Sequence, residues 1–326
     1  MIMLMEKYVY QMFILGMDNP FEALSKGLGG VIFFTKDINS EEQLKNDINA
    51  IKKAALIQPF ISIDQEGGRV ERTEKIRPKR LSPREAYKNG ILKSQSDEMA
   101  KELSDWGFNL NFAPCADVNT NPNNPIIGER AFSDNPDDVV KGVEIFVNSM
   151  RKSGIIPCVK HFPGHGDADK DSHLTLPVIN LSMNEMENIH IKPFKKAIEN
   201  NIEMIMAAHL YCPCFDKEEV PASLSKNVLG YLRDTLNYKG VIISDDMIMK
   251  GVQAYGGLDA CIKGINAGID MFIFRNSDLD TLNIINELCE VVKNDSSLQK
   301  KVMNTYGRIM NLKTMYGIIN KEGDVL

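Results

Sequence analysis

The chain lacks a basic stripe. Its formal net charge is −6 and its isoelectric point is near 5.5. A nucleic-acid surface would gather Lys and Arg on one face, whereas the Lys-rich runs here, such as residues 75–80, are short and mixed with proline. No apolar run reaches membrane-spanning length. The N-terminal "MIMLMEKYVYQMFILGM" is interrupted by Glu6 and Lys7, and no small-residue cleavage site follows an uninterrupted core, so no signal peptide is expected. No Gly/Ser-rich linker, low-complexity segment or long internal repeat divides the sequence, so one domain over residues 1–326 is expected. Cysteines are few: Cys115, Cys158, Cys212, Cys214, Cys261 and Cys289. Most sit in or beside apolar runs, as buried free thiols do. Cys212-Pro-Cys214 is too tight for a zinc knuckle and has no second pair. Reduced, structural thiols suit a cytoplasmic address.

What is present is a regular succession of apolar runs. Hydrophobic residues make up 43% of the chain, enough for a sizeable core. Eight short runs read as strands: "QMFILG" (11–16), "GVIFF" (30–34), "PFISID" (59–64), "LNFAPC" (110–115), "IIPCVKH" (155–161), "MIMAAH" (204–209), "GVIISD" (240–245) and "DMFIFR" (270–275). Most are nearly all apolar rather than alternating, as strands are when a parallel sheet is covered on both faces. Helical patterns lie between most of them. One starts at Ser40 as N-cap; others end at Gly107 and Gly154; residues 279–315 read as helical throughout. Strand–helix alternation repeated eight times predicts an α/β fold, a single (β/α)8 TIM-type barrel.

In such a barrel the chemistry sits where strands end. Asp64, Lys160 and His161, His209, Asp245 and Asp246, and Arg275 all fall there. The loop after the fifth strand, "KHFPGHGDADKDSH", holds three of the chain's five histidines among Asp167, Asp169 and Asp171. Pro163 and Gly164 break regular structure, so His161 and His165 do not share a helical face. A metal site would draw on His161, His165, His173 and the three acids, which are suitable ligand types at a spacing that matches no zinc motif. An acid/base site would centre on Asp171 and His173, since a carboxylate fixes the imidazole tautomer and raises its pKa. A solvated loop is the plain alternative. In "GVIISDD", Ser244 or Asp245 is either a helix N-cap or, for Asp245, a carboxylate aimed at an electrophilic carbon. In "SIDQEGGRVER", Gly67 and Gly68 permit a turn that returns Arg69 and Arg72 toward Asp64, while Glu66 and Arg69 read as an ordinary loop ion pair. Arg130 sits in the Pro/Asn-rich loop after strand four.

Together these motifs resemble glycoside hydrolase family three, specifically its bacterial β-N-acetylglucosaminidase (β-N-acetylhexosaminidase) branch. The resemblance runs from about residue 9 to residue 274 through "GGVIFF", "ISIDQEGGRVER", "LNFAPCADVN", "IIGERAF", "VKHFPGHGDADKDSHLTLP", "MAAHLY", "PASLS" and "GVIISDDMIMKG". The Pro-Gly-His loop ending in Asp-Ser-His is its most specific part. The family's β-glucosidase branch lacks that loop and takes its acid from a second domain, which is not expected here. "ERAFSDNP" departs from the pattern of many relatives, which have Ser after the arginine and Gly after the Phe.

The resemblance implies that Asp245 is the nucleophile, since the family's nucleophile directly follows the Ser at this strand end. It implies that His173, paired with Asp171, is general acid and then general base. Asp64, Arg72, Arg130, Lys160 and His161 would hold the N-acetylglucosamine. A retaining exo-glycosidase results, acting on cell-wall muropeptides or related oligosaccharides such as chitobiose, in peptidoglycan recycling. No metal or organic cofactor, nucleic acid, membrane or obligate protein partner is expected. A metal-dependent barrel hydrolase using the His/Asp loop, and a barrel that binds an amino sugar without turning it over, are the alternatives.

Overall fold

The computed structural model describes residues 2–168 and 176–320. Eight parallel strands close a barrel in chain order: β1 (Phe13–Leu15), β2 (Gly30–Phe33), β3 (Phe60–Ile63), β4 (Leu110–Asn111), β5 (Ile156–Phe162), β6 (Met204–Ala207), β7 (Val241–Asp246) and β8 (Met271–Phe274). Each falls on an apolar run of the sequence, reaching at most one residue beyond it, although β1, β4 and β6 are shorter than their runs and β4 takes up only the first two residues of 110–115. The physical reason is visible in the burial: every strand residue is buried except Asp245 and Asp246 at the end of β7. Barrel interior and helix layer leave no wet face for alternation.

The helices are set by local signals. The Ser40 hydroxyl accepts the Gln43 N–H and starts Glu41–Ala54. Asn135 caps Pro136–Lys152 by accepting from Asp137 and Asp138. Gly107, at φ +99°, ends Leu92–Trp106 in the left-handed region that glycine adopts without a Cβ penalty. One expectation is corrected. Residues 279–315 form two helices, Leu279–Asn294 and Ser296–Met315. Asp295 leaves the helical conformation and its carboxylate accepts the N–H groups of Ser297 and Leu298, so the break is an N-cap.

That last helix stoppers the barrel's N-terminal end. Lys313 is fully buried there. Its ammonium donates to Gln11 Oε1 (2.8 Å), Gly29 O (2.9 Å) and Gln58 O (2.9 Å) and lies 4.8 Å from the Phe60 ring centroid. The six cysteines are free thiols, five of them buried. No helix among the described residues is long and apolar enough to cross a membrane.

At the opposite end the ladder is irregular in two places. Pairing of β5 with β6 shifts register between Val159 and Phe162, and pairing of β7 with β8 shifts between Ile243 and Asp246. A regular strand sends neighbours to opposite faces. Here Lys160 and His161 line one cavity, as do Asp245 and Asp246, because the irregularities re-aim them.

Candidate active site

The cavity lies at the C-terminal ends of the strands and has a volume of about 560 Å³. Asp64, Arg72, Arg130, Lys160, His161 and Asp245 all line it, contributed by β3, β4, β5 and β7 or the loops that follow them. Six of the eight residues to which the resemblance gives roles are thus brought together. The other two, Asp171 and His173, lie outside the described residues.

A charge clamp forms one wall. Lys160 Nζ sits 2.7 Å from Asp64 Oδ1 and 2.7 Å from Glu66 Oε1. Arg130 grips the same Glu66 through two bonds of 2.9 Å, from Nε to Oε2 and from Nη2 to Oε1. Burial alone would raise the Glu66 pKa, but the Arg130 and Lys160 charges more than offset it and hold the carboxyl well below its usual range. By the same coupling, burial of Lys160 and Arg130 is overcome by their carboxylates, and both stay charged above their ordinary pKa values. Glu66 is therefore no ordinary loop partner of Arg69. It fixes two cations that line the cavity.

Arg72 reaches Asp64 Oδ2 at 3.7 Å, and its guanidinium lies 5.5 Å from the Phe34 ring centroid. The turn that returns it needs glycine: Gly67 and Gly68 have φ of +98° and +62°, and a Cβ at Gly67 would stand 2.7 Å from Leu81 O. Gln65 holds the return, accepting the Arg72 N–H at 2.8 Å and bonding the buried Glu71. Only one of the two arginines comes back to the acid. Arg69 instead donates to Pro125 O at 3.0 Å, tying this turn to the Arg130 loop.

His161 is oriented by a residue the sequence reading passed over. Its Nδ1 lies 2.7 Å from Asp117 Oδ2, and its Nε2 lies 3.4 Å from Arg130 Nη2. Asp117 is fully buried and also accepts the His165 N–H at 2.6 Å and the Cys115 thiol at 3.1 Å. Burial raises its pKa, but His161 and His165 prevail, and the carboxyl is held well below its usual range. The signal available was an Asp following the apolar run "LNFAPCA", where a carboxylate needs a partner. The start of the β5 loop packs on the same segment. Asn124 Nδ2 donates to His165 O at 2.8 Å, Thr120 Oγ1 donates to Asp167 Oδ1 at 2.7 Å, and a Cβ on Gly166 would collide with Val118 O.

The histidine–aspartate metal set of the alternative reading is not assembled by its described members. Asp167 is turned to Thr120, and both ring nitrogens of the buried His165 have no partner among the described residues. Burial lowers the His165 pKa to about 4. The ligand-type side chains that do lie together among the described residues are Cys115, Asp117 and His161, with Asp117 as their shared hydrogen-bond acceptor.

On the other wall the two neighbouring acids differ. Burial would raise the Asp245 pKa, but His161, His209, the Asp246 N–H and Lys160 lower it below the ordinary carboxylate value. Its Oδ1 accepts the Asp246 N–H at 2.7 Å. Asp246 is pushed up to about 6, chiefly by burial, although Ile248 N–H and Arg275 oppose the shift. Arg275 Nε stands 3.1 Å from Asp246 Oδ2. Neither Ser244 nor Asp245 is an N-cap. The Ser244 hydroxyl accepts the Ile273 N–H at 3.3 Å, and the next helix, Lys250–Gln253, begins after Met249 with no side-chain cap.

Comparison with known proteins identifies the family. The family model for the N-terminal domain of glycosyl hydrolase family 3 matches residues 7–312. Beta-hexosaminidase A of Pseudoalteromonas piscicida is 32% identical over 318 residues, covering 88% of this chain and 53% of that protein. The beta-hexosaminidase of Photobacterium profundum is 36% identical over 276 residues, covering 81% of this chain and 79% of that protein. Among solved structures, a family 3 beta-N-acetylglucosaminidase from Paenibacillus sp. superposes with a TM-score of 0.90 at 27% identity, over 98% of this chain and 65% of that one. The chain thus spans about half the length of the first relative and about two thirds of the Paenibacillus enzyme.

Proposed function

The chain belongs to glycosyl hydrolase family 3, and on that footing we propose that it is a retaining exo-β-N-acetylglucosaminidase whose catalytic unit is the barrel. One observation carries the reading: an ionised carboxylate, Asp245, stands at the mouth of β7 in a cavity otherwise rich in hydrogen-bond donors. Arg72, Arg130, Lys160 and His161 offer many donors and few acceptors, which suits hydroxyl and acetamido oxygens. Asp64 accepts from a sugar hydroxyl in turn.

In the first step Asp245 Oδ2 attacks the anomeric carbon while Oδ1 stays on the Asp246 N–H. The glycosidic C–O bond breaks and His173 gives its proton to the leaving oxygen. Water then attacks the glycosyl ester, His173 takes its proton, and Asp245 leaves as carboxylate. Asp171 holds the His173 ring and favours its charged form. Between the two acids, Asp245 is the nucleophile because Asp246 titrates near 6 and is bonded to Ile248 N–H and Arg275. The natural substrates are cell-wall muropeptides or related amino-sugar oligosaccharides handled in the cytoplasm during peptidoglycan recycling.

The test is a side-by-side assay on 4-nitrophenyl β-N-acetylglucosaminide and β-glucoside. The first should be favoured in kcat/KM by about two orders of magnitude or more, because buried donors lose their partner in the second. Comparable rates would overturn the acetamido assignment. Binding without turnover would make the protein an amino-sugar receptor, and loss of activity to a chelator would make it a metal enzyme.

A further inference from the structure

His209 is buried and does not line the cavity, yet it bonds the backbone of Asp246, the residue next to the nucleophile. The β6–β7 ladder ends at Ala207 opposite Ser244. Beyond that point β6 turns away: Ala208 N–H donates to Phe162 O at 2.9 Å, and Ala208 O accepts Ser223 N–H at 3.0 Å. The His209 side chain spans the gap this leaves. Its Nε2 lies 3.1 Å from Asp246 O and its Nδ1 lies 2.7 Å from the Ser223 hydroxyl.

A carbonyl oxygen only accepts, so Nε2 carries the hydrogen. Burial lowers the His209 pKa and so favours the neutral ring, although Asp245 opposes the shift. Nδ1 then accepts from Ser223, and that hydroxyl selects the tautomer. The root of the side chain is packed as well, since a Cβ on Gly251 would sit 3.2 Å from His209 Cβ. Asp246 is thereby held through its carbonyl by His209 while its N–H holds Asp245 Oδ1.

We propose that His209, with its tautomer selected by Ser223, is a positioning residue that takes the place of a missing β6–β7 backbone hydrogen bond and aims the Asp245 carboxylate at the anomeric carbon. This rests on the reading of Asp245 as nucleophile. It gives a purpose to His209 of "MAAHLY" and Ser223 of "PASLS", neither of which lines the cavity. Misplacing a reacting atom by about 1 Å costs about 10²-fold in rate.

The experiment compares His209→Phe, His209→Gln, Ser223→Ala and Asp245→Ala on 4-nitrophenyl β-N-acetylglucosaminide, whose leaving group needs little acid assistance. Rates are normalised to the fraction of sites that bind N-acetylglucosamine by calorimetry. His209→Phe, which keeps a ring but no N–H, should lose about 10²-fold in kcat/KM while its N-acetylglucosamine Kd stays within about twofold. His209→Gln, which restores a donor, should recover about tenfold of that, and Ser223→Ala should lose about tenfold. A His209→Phe rate per binding site within about threefold of wild type, or no recovery in His209→Gln, overturns the proposal. If His209→Phe fails to fold, the Gln and Ser223 variants decide alone, and wild-type rates in both overturn it. Asp245→Ala separates the two readings. If it is inactive while His209→Phe is normal, only the positioning role falls; if it is fully active, the nucleophile reading falls and takes this one with it.

Discussion

Replacing Asp117 with Asn changes one oxygen for an NH2 group and tests the layer behind the sugar. In the wild type this carboxylate accepts from His161 Nδ1 at 2.7 Å, His165 N–H at 2.6 Å and the Cys115 thiol at 3.1 Å. An Asn can keep its oxygen on the His165 N–H. Its amide donors then face His161 Nδ1, which must accept, so the ring moves its hydrogen to Nε2. That hydrogen points at Arg130 Nη2, another donor, 3.4 Å away. Removing one partner of a buried charged cluster costs about 3–5 kcal/mol. Against a typical native stability of about 5–15 kcal/mol, the variant should still fold at 25 °C. Urea unfolding at pH 7 should show a loss of about 3 kcal/mol, and kcat/KM on the aryl N-acetylglucosaminide should fall about 10²-fold. The pH dependence has a defined sign. The folded-state pKa of Asp117 is depressed, so its contribution is complete above the unfolded value of about 3.9 and is lost as pH falls below it. The gap between wild type and variant should therefore narrow below about pH 4. A gap under about 1 kcal/mol at pH 7, or one undiminished at pH 3, would refute the reasoning.

Asp246 should show the opposite sign. Its folded pKa is raised to about 6, so ionising it destabilises the fold as pH rises from about 4 to 6, by up to about 3 kcal/mol. Asp246→Asn should gain stability over wild type across that window, and a pH-independent difference would contradict this. Lys313→Met leaves three oxygen acceptors unpaired at the barrel's closed end. It should lower stability by about 2–4 kcal/mol in thermal or urea unfolding while kcat/KM stays within twofold. A large kinetic loss would mean the stopper communicates with the site. His173→Ala should slow the glycosylation step far more on a natural disaccharide than on a nitrophenyl glycoside, whose phenolate departs unaided. Equal loss on both in pre-steady-state kinetics would remove His173 from the acid role.

Much of this architecture can be read from the chain, for a physical reason. A strand buried on both faces has to be apolar, so "GVIISD" and "PFISID" mark both a strand and the point where polar chemistry begins. Asp64, Lys160 and Asp245 stand out because a charge at the edge of such a run needs a task or a partner. Glu66 does not stand out. One of its partners, Arg130, is 64 positions away, and locally it is one acid beside Arg69 in a charged loop. Asp117 is hidden for a related reason, since it acts on other side chains and on backbone and such pairing is tertiary; His209 stands out at a strand end, but its bond to the Asp246 carbonyl does not. The break at Asp295 escaped because apolar spacing continues on both sides of it, through Val292 and Leu298, and masks the cap between.

Trapping the glycosyl-enzyme tests the central claim most directly. The protein would be incubated with a slow fluorinated N-acetylglucosaminyl substrate, quenched, digested and mapped by mass spectrometry. The expected result is one glycosyl adduct per chain on Asp245, absent from Asp245→Ala, with retained configuration in the product of ordinary turnover. An adduct on Asp246, or turnover with inverted product and no adduct, would contradict it.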